Sequence, residues 1–117
     1  MTRRRWLFVL VLLGVLVAAL LPNNEAPDLG DGDKVNHIAA FVTLSFVAAW
    51  AWPTTRLWVI GAALSAFGGA IEGLQAIPFI ARDAEWSDWI ADTAAVGVTL
   101  AIVAIYRRVG RATSSGR

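Results

Sequence analysis

The sequence predicts an all-α, membrane-embedded four-helix bundle with both termini on the cytoplasmic side. Three observations predict this fold. Hydrophobic residues make up 57% of the 117 residues, charged residues make up only 16%, and the charges lie in short segments between four long apolar runs. Charged residues usually make up about a quarter of a soluble domain. The length fits one domain, which we assign to residues 1–111, with a disordered tail at 112–117.

The four apolar runs are the predicted spans, because a helix needs about 20 apolar residues to cross a hydrocarbon core. In chain order they cover about residues 6–21, 35–52, 57–77 and 88–106. Pro22, Pro53 and Pro78 end the first three, since proline cannot continue a helix interior. The fourth ends at a basic segment that begins with Arg107.

The charges between the spans predict their orientation. Basic residues precede the first span, separate the second from the third, and follow the fourth: Arg3, Arg4, Arg5, Arg56, Arg107, Arg108 and Arg111. The other two connecting segments are mostly acidic. The positive-inside rule therefore predicts an N-in, C-in multi-pass protein of the plasma membrane. Six tryptophans near the predicted span ends fit an aromatic belt: Trp6, Trp50, Trp52, Trp58, Trp86 and Trp89.

The first apolar run has an alternative interpretation. The stretch 2-TRRRWL-7, followed by an apolar run and 17-VAA-19, also resembles a secretory signal peptide. This alternative stays open, because length and charge suit both a retained span and a cleaved signal.

Composition also excludes several function classes. The absence of cysteine excludes disulfides, Cys-ligated zinc, iron–sulfur clusters and thiol nucleophiles. A net charge of +1 gives no overall field for nucleic acid. The partner that the composition does predict is the lipid bilayer, and no cofactor is predicted.

An acid within the third apolar run is the main functional signal. A charge in a span costs several kcal/mol unless it is paired or hydrated, so Glu72 is a functional-site hypothesis by default. At about 1.5 Å rise per residue, His37, Glu72 and Asp92 all fall within one or two turns of the same predicted outer interface. Asp88 and Asp92 are four residues apart and therefore share a helix face.

Small residues predict which way Glu72 points. Gly61, Ser65, Gly69 and Gly73 recur at every fourth position, a pattern that lets another helix approach closely. Glu72 lies near the phase of this stripe, so we expect its side chain to face the bundle interior. The same stripe would also suit a homo-oligomer.

Three segments in order resemble the VanZ-like family of small bacterial membrane proteins: 33-DKVNHIAAF-41, 71-IEGLQ-75 and 82-RDAEWSDWIADTAAVGV-98. The motif residues correspond to Lys34, His37, Phe41, Glu72, Gln75, Arg82, Asp88, Asp92 and Gly97. One departure is Asp92, where the family often has asparagine. The resemblance implies a four-helix bundle and an association with low-level teicoplanin resistance, but no established reaction.

These residues suggest a site that acts on or binds a lipid-linked or cell-wall substrate. The candidate catalytic residues are His37, Glu72, Asp88 and Asp92, and the candidate substrate-binding residues are Lys34, Gln75 and Arg82. Histidine beside carboxylates can perform acid–base chemistry, and a cationic rim can hold a phosphate. Catalysis itself is not decided by the sequence.

Two alternatives remain beside this hypothesis. In the first, the same residues form a non-catalytic accessory site, in which Glu72 pairs with Arg82 or His37 and locks the helices or binds a partner. In the second, one histidine and three carboxylates hold a divalent ion. No short ligand-spacing motif supports the second alternative, so no metal is predicted.

Overall fold

The computed structural model describes residues 1–20, 33–76 and 86–115, and within these ranges it is all-helical. Its four helices are α1 (Arg3–Leu20), α2 (Asp33–Ala51), α3 (Leu57–Gln75) and α4 (Trp86–Ser115). No strand occurs in these ranges. The predicted all-α class and the number of helices are confirmed.

Two of these helices are long and apolar enough to cross a membrane, judged by length and composition. They are the stretches Leu57–Leu74 and Ser87–Arg111, and Val35–Ala51 forms a shorter apolar helix. α1 does not meet this criterion. It has only 18 residues, and three of them are arginines, which is too much charge for an apolar span of that length.

Helix ends lie close to the predicted ones at Pro53 and differ at the C-terminus. The amide of Trp52 donates to the Ala48 carbonyl at 2.9 Å, and a turn to Thr55 then carries the chain into α3. At the other boundary α4 continues past the predicted end at Tyr106 to Ser115. The backbone of 112–115, which we predicted to be disordered, is therefore helical. That stretch contains no proline or glycine, and Arg111 and Ala112 at its start favour continuation of the helix.

Helices α2, α3 and α4 pack on one another, and α1 packs on α2 and α3. Buried positions recur on one face of each of the three mutually packed helices, as expected for amphipathic packing. The buried apolar core comprises Ala19, Phe41, Leu44, Ala48, Ala49, Ile60, Leu64, Ile71, Val96 and Leu100. This core fixes the axial register in which polar residues of different helices meet.

The small-residue stripe of α3 faces α4 over most of its length. A Cβ atom at Gly61 would lie 3.3 Å from Leu100 Cδ1, and one at Gly69 would lie 3.4 Å from Trp89 Nε1. A Cβ at Gly73 would meet nothing within 4 Å. The predicted close approach is thus confirmed for the two deeper glycines, and Gly73 lies beyond the contact.

Polar contacts also join α3 to α4 at Ser65, which belongs to the same small-residue stripe. The hydroxyls of Ser65 and Thr93 are 2.9 Å apart, and the indole N–H of Trp89 donates to the Ser65 carbonyl at 2.9 Å. Trp89 is therefore half-buried between helices. The indole of Trp89 thus finds its hydrogen-bond partner within the bundle, and its place in an aromatic belt remains a prediction.

Arginines from both ends of the chain bind the C-terminus of α2. Arg4 Nη1 donates to Trp50 O at 3.3 Å, Arg5 Nε donates to Ala51 O at 3.5 Å, and Arg107 Nη2 donates to Ala49 O at 2.8 Å. The last carbonyls of a helix have no intrahelical partner and carry partial negative charge. Guanidinium groups from α1 and α4 therefore close this end of the bundle, which we call the arginine end.

Candidate functional site

The predicted polar residues meet at the end of the bundle opposite the arginine end. His37 lies in the second turn of α2, Glu72 near the end of α3 and Asp92 in the second turn of α4. One nitrogen or oxygen atom from each side chain lies within 4.8 Å of the other two. His37 is 7% exposed, and Glu72 and Asp92 are fully buried. The expected convergence and the inward orientation of Glu72 are confirmed.

One direct contact in this site joins α2 to α4. His37 Nδ1 is 3.3 Å from Asp92 Oδ2. With its proton on Nδ1 the ring donates to this carboxylate, and the lone pair of Nε2 can accept a proton. The second carboxylate oxygen, Asp92 Oδ1, is buried and accepts no hydrogen bond from the residues that the structure describes.

Asp88 brings further negative charge to the same region. It lies in the first turn of α4, one turn before Asp92, and is 6% exposed. A carboxylate in the first turn is stabilised by the helix dipole. The charges of Asp88 and Glu72 both act on the His37 ring, in addition to that of Asp92. The site therefore combines one imidazole with three carboxyl groups.

An apolar layer separates the site from the rest of the bundle. Phe41 and Val96 lie one turn deeper than His37 and Asp92, on the same buried faces, and Ile71 adjoins Glu72. All three are members of one hydrophobic cluster. A low-dielectric layer of this kind strengthens the electrostatic interactions of the polar groups beside it.

The three candidate substrate-binding residues are only partly placed by the structure. Lys34 lies in the first turn of α2 and Gln75 is the last residue of α3. The side chains of both lie outside the described part of the chain, and Arg82 lies outside it altogether. Their roles remain predictions, as do the catalytic roles of the buried residues.

Gly68 was missed in the sequence analysis, although it supports the site. A Cβ atom on this residue would lie 3.3 Å from Phe41 Cζ and 3.4 Å from Trp89 Cδ1. Because Gly68 has no Cβ atom, α2 and α4 can approach α3 closely one turn below Glu72. The available signal was the spacing, since Gly68 precedes Glu72 by one i, i+4 step and thus shares its face.

No protein-family model, curated protein or solved structure matches this chain, so its chemistry is argued from the side chains themselves. An imidazole held by one carboxylate and close to another can transfer protons near neutral pH. The same set of nitrogen and oxygen atoms can also ligate a divalent cation.

Proposed function

We propose that this chain is a VanZ-like, multi-pass protein of the bacterial plasma membrane, linked to resistance to glycopeptides such as teicoplanin. Its buried polar site handles a lipid-linked or cell-envelope substrate from the outer face. The observation that carries this proposal is the convergence of His37, Glu72 and Asp92, from three helices, on one buried spot. Burying such groups is costly, so they mark a functional site by default in a membrane bundle.

The distribution of polarity supports a membrane setting. Four titratable side chains are buried, whereas large apolar residues of every helix are exposed. Examples on α4 are Ile90, Val98, Ile102 and Ile105. In water, exposed apolar patches of this extent would favour association, whereas in a bilayer they would contact the apolar lipid chains.

The proposed chemistry is general acid–base assistance at the envelope substrate. Asp92 fixes the His37 tautomer through Nδ1, and Nε2 takes a proton from the attacking group or returns it to the leaving group. Glu72 supplies a second carboxylate within 4.8 Å that stabilises positive charge on the ring. Phe41 and its apolar neighbours exclude water from the inner side of these groups.

The rim residues give the proposal its substrate class. Lys34 and Arg82 contribute the positive charges that a phosphate or pyrophosphate head group requires, and Gln75 contributes an amide for hydrogen bonding. The prenyl or acyl chain of such a substrate stays in the surrounding lipid.

A non-catalytic accessory function is the second candidate, and the depth of burial favours it. Glu72 and Asp92 have no exposed surface, which suits residues that lock three helices together for partner binding. The variant Glu72→Gln separates the two candidates, because glutamine keeps hydrogen bonding and shape but removes the negative charge that would stabilise a protonated His37 ring. Full resistance with this variant supports the accessory function, and loss of resistance at normal stability supports the acid–base function.

The central test is a teicoplanin susceptibility assay in a bacterium that depends on this protein for resistance. We expect His37→Ala, Glu72→Gln and Asp92→Asn to lower the inhibitory concentration toward that of the empty vector. Ser45→Ala is the matched control, because Ser45 is a buried polar residue on the same face of α2 and bonds only within its own helix, to the Phe41 carbonyl at 2.7 Å. Membrane abundance is measured for each variant. Unchanged resistance in all three site variants at normal abundance would reject the proposed site.

Orientation has an independent test, because the chain has no cysteine and any introduced thiol is unique. A membrane-impermeant maleimide should label Asn24→Cys in intact cells. Thr54→Cys and Ser114→Cys should react only after permeabilisation. The opposite pattern would place the polar site on the cytoplasmic side and reject an envelope substrate.

A further inference from the structure

We propose that His37, Glu72 and Asp92 bind one divalent transition-metal ion, Zn²⁺ or Mn²⁺. This inference rests on the proposed function and concerns the same site. With a metal on Nδ1 the neutral His37 ring keeps its proton on Nε2, so metal binding and the acid–base role belong to two different states of the site. Metal binding can nevertheless be measured without any substrate. The sequence spacing of these residues gave no metal motif, because the three ligands come from three different helices and meet only in the folded bundle.

The distances in the site also suit a bound metal ion. Zn–N and Zn–O bonds of about 2.0–2.1 Å place tetrahedral ligand atoms about 3.3–3.4 Å apart. His37 Nδ1 and Asp92 Oδ2 are separated by 3.3 Å. A charge-assisted N–H···O⁻ bond is shorter, at about 2.7–2.9 Å. The pair therefore already has the spacing of two ligands on one ion.

Glu72 completes the set with a small adjustment. The chosen atoms of all three residues lie within 4.8 Å of one another. Closing the widest separation to about 3.4 Å moves each of two side chains by at most about 0.7 Å. The terminal torsion of a glutamate is broad, so the carboxylate of Glu72 can make this movement without a backbone shift.

The electrostatics of the site also call for a cation. Glu72, Asp88 and Asp92 place three carboxyl groups around a histidine that is neutral in its ligating form. Asp92 Oδ1, on a fully buried side chain, accepts no hydrogen bond from the described residues. Burying several carboxyl groups close together is unfavourable, and a divalent ion between them offsets part of that cost.

The ligand atoms select the class of metal. Imidazole suits zinc, iron and nickel, whereas carboxylates suit manganese and magnesium, and a mixed set favours Zn²⁺ or Mn²⁺. The chain has no cysteine, which removes the thiolate ligands that select soft ions. Calcium prefers six to eight oxygen ligands, more than this site supplies.

The experiment uses the full chain purified in detergent, stripped with EDTA and loaded separately with ZnCl₂ or MnCl₂. After removal of excess metal, we expect about one ion per chain for the wild-type protein with one of the two salts. His37→Ala and Asp92→Asn should retain less than a tenth of this amount. Ser45→Ala, which alters a buried hydroxyl outside the site, should retain all of it.

A second measurement needs no variant. Wild-type protein loaded with Co²⁺ should show the d–d absorption of a low-coordinate site with a nitrogen ligand, and Zn²⁺ should abolish it by competition. The inference would be overturned if neither ZnCl₂ nor MnCl₂ gave about one ion per chain and the Co²⁺ spectrum were also absent. It would also be overturned if both site variants kept their full metal content. If metal binding fails but the site variants still lose resistance, the proposed function stands without the metal. If metal binds and resistance does not change in these variants, the proposed function fails and the metal site stands.

Discussion

Replacing Gly68 by leucine, compared with the same replacement at Gly73, tests how closely the three central helices approach. Both glycines lie on α3, so the gain in helix propensity is the same, about 0.8 kcal/mol. At Gly73 a Cβ meets nothing within 4 Å, so this gain should appear as added stability. At Gly68 a Cβ would already lie 3.3 Å from Phe41 Cζ and 3.4 Å from Trp89 Cδ1, and three further carbons have no space.

Overpacking of this kind usually costs about 1–3 kcal/mol, occasionally more. Three further carbons place Gly68→Leu in the upper part of this range, at about 2–3 kcal/mol. After subtraction of the propensity gain, this variant should be destabilised by about 1–2 kcal/mol, and the two variants should differ by about 2–3 kcal/mol. The assay is SDS-induced unfolding in dodecylmaltoside micelles, followed by far-UV circular dichroism and tryptophan fluorescence. Equal stability of the two variants, or a Gly68→Leu protein as stable as the wild type, would refute the close approach of α2 and α4 to α3.

Two further predictions concern contacts between helices. A double-mutant cycle with His37→Ala and Asp92→Ala, measured by SDS unfolding in EDTA, should give a coupling free energy of about 1–3 kcal/mol, because the two side chains are in direct contact at 3.3 Å; additive effects would contradict that contact. Arg107→Ala should lower the free energy of unfolding by about 1–2 kcal/mol through loss of the charged hydrogen bond to the Ala49 carbonyl. The exposed Arg108→Ala control should change it by less than about 0.5 kcal/mol, and equal losses in both arginine variants would argue against a specific bond.

The helices and the meeting of the polar residues could be predicted from the sequence. Long apolar runs bounded by charges and by Pro53 mark helices whatever their neighbours are. Depth along each run, together with helical phase, was enough to bring His37, Glu72 and Asp92 to one level. These properties are local or periodic, and they survive folding because the helices are nearly rigid rods.

What the sequence could not predict depends on how the helices sit against each other. The role of Trp89 follows from the space that Gly68 and Gly69 leave on α3, and no feature of its own segment reveals this. The bond of Arg107 to the end of α2 depends on the relative axial position of two helices. The same holds for the spacing of the proposed metal ligands, because it arises only between helices and leaves no motif along the chain.

The hydrophobic layer of Phe41, Ile71 and Val96 has a consequence for transport. A proton or ion that reaches His37 from the polar end meets side chains that offer no hydrogen bond or ligand for the next step. In a bilayer the site would then be open to one side only and would not form part of a path for ions across the membrane. In the proposed membrane setting, the site would then exchange protons with the aqueous phase on one side only.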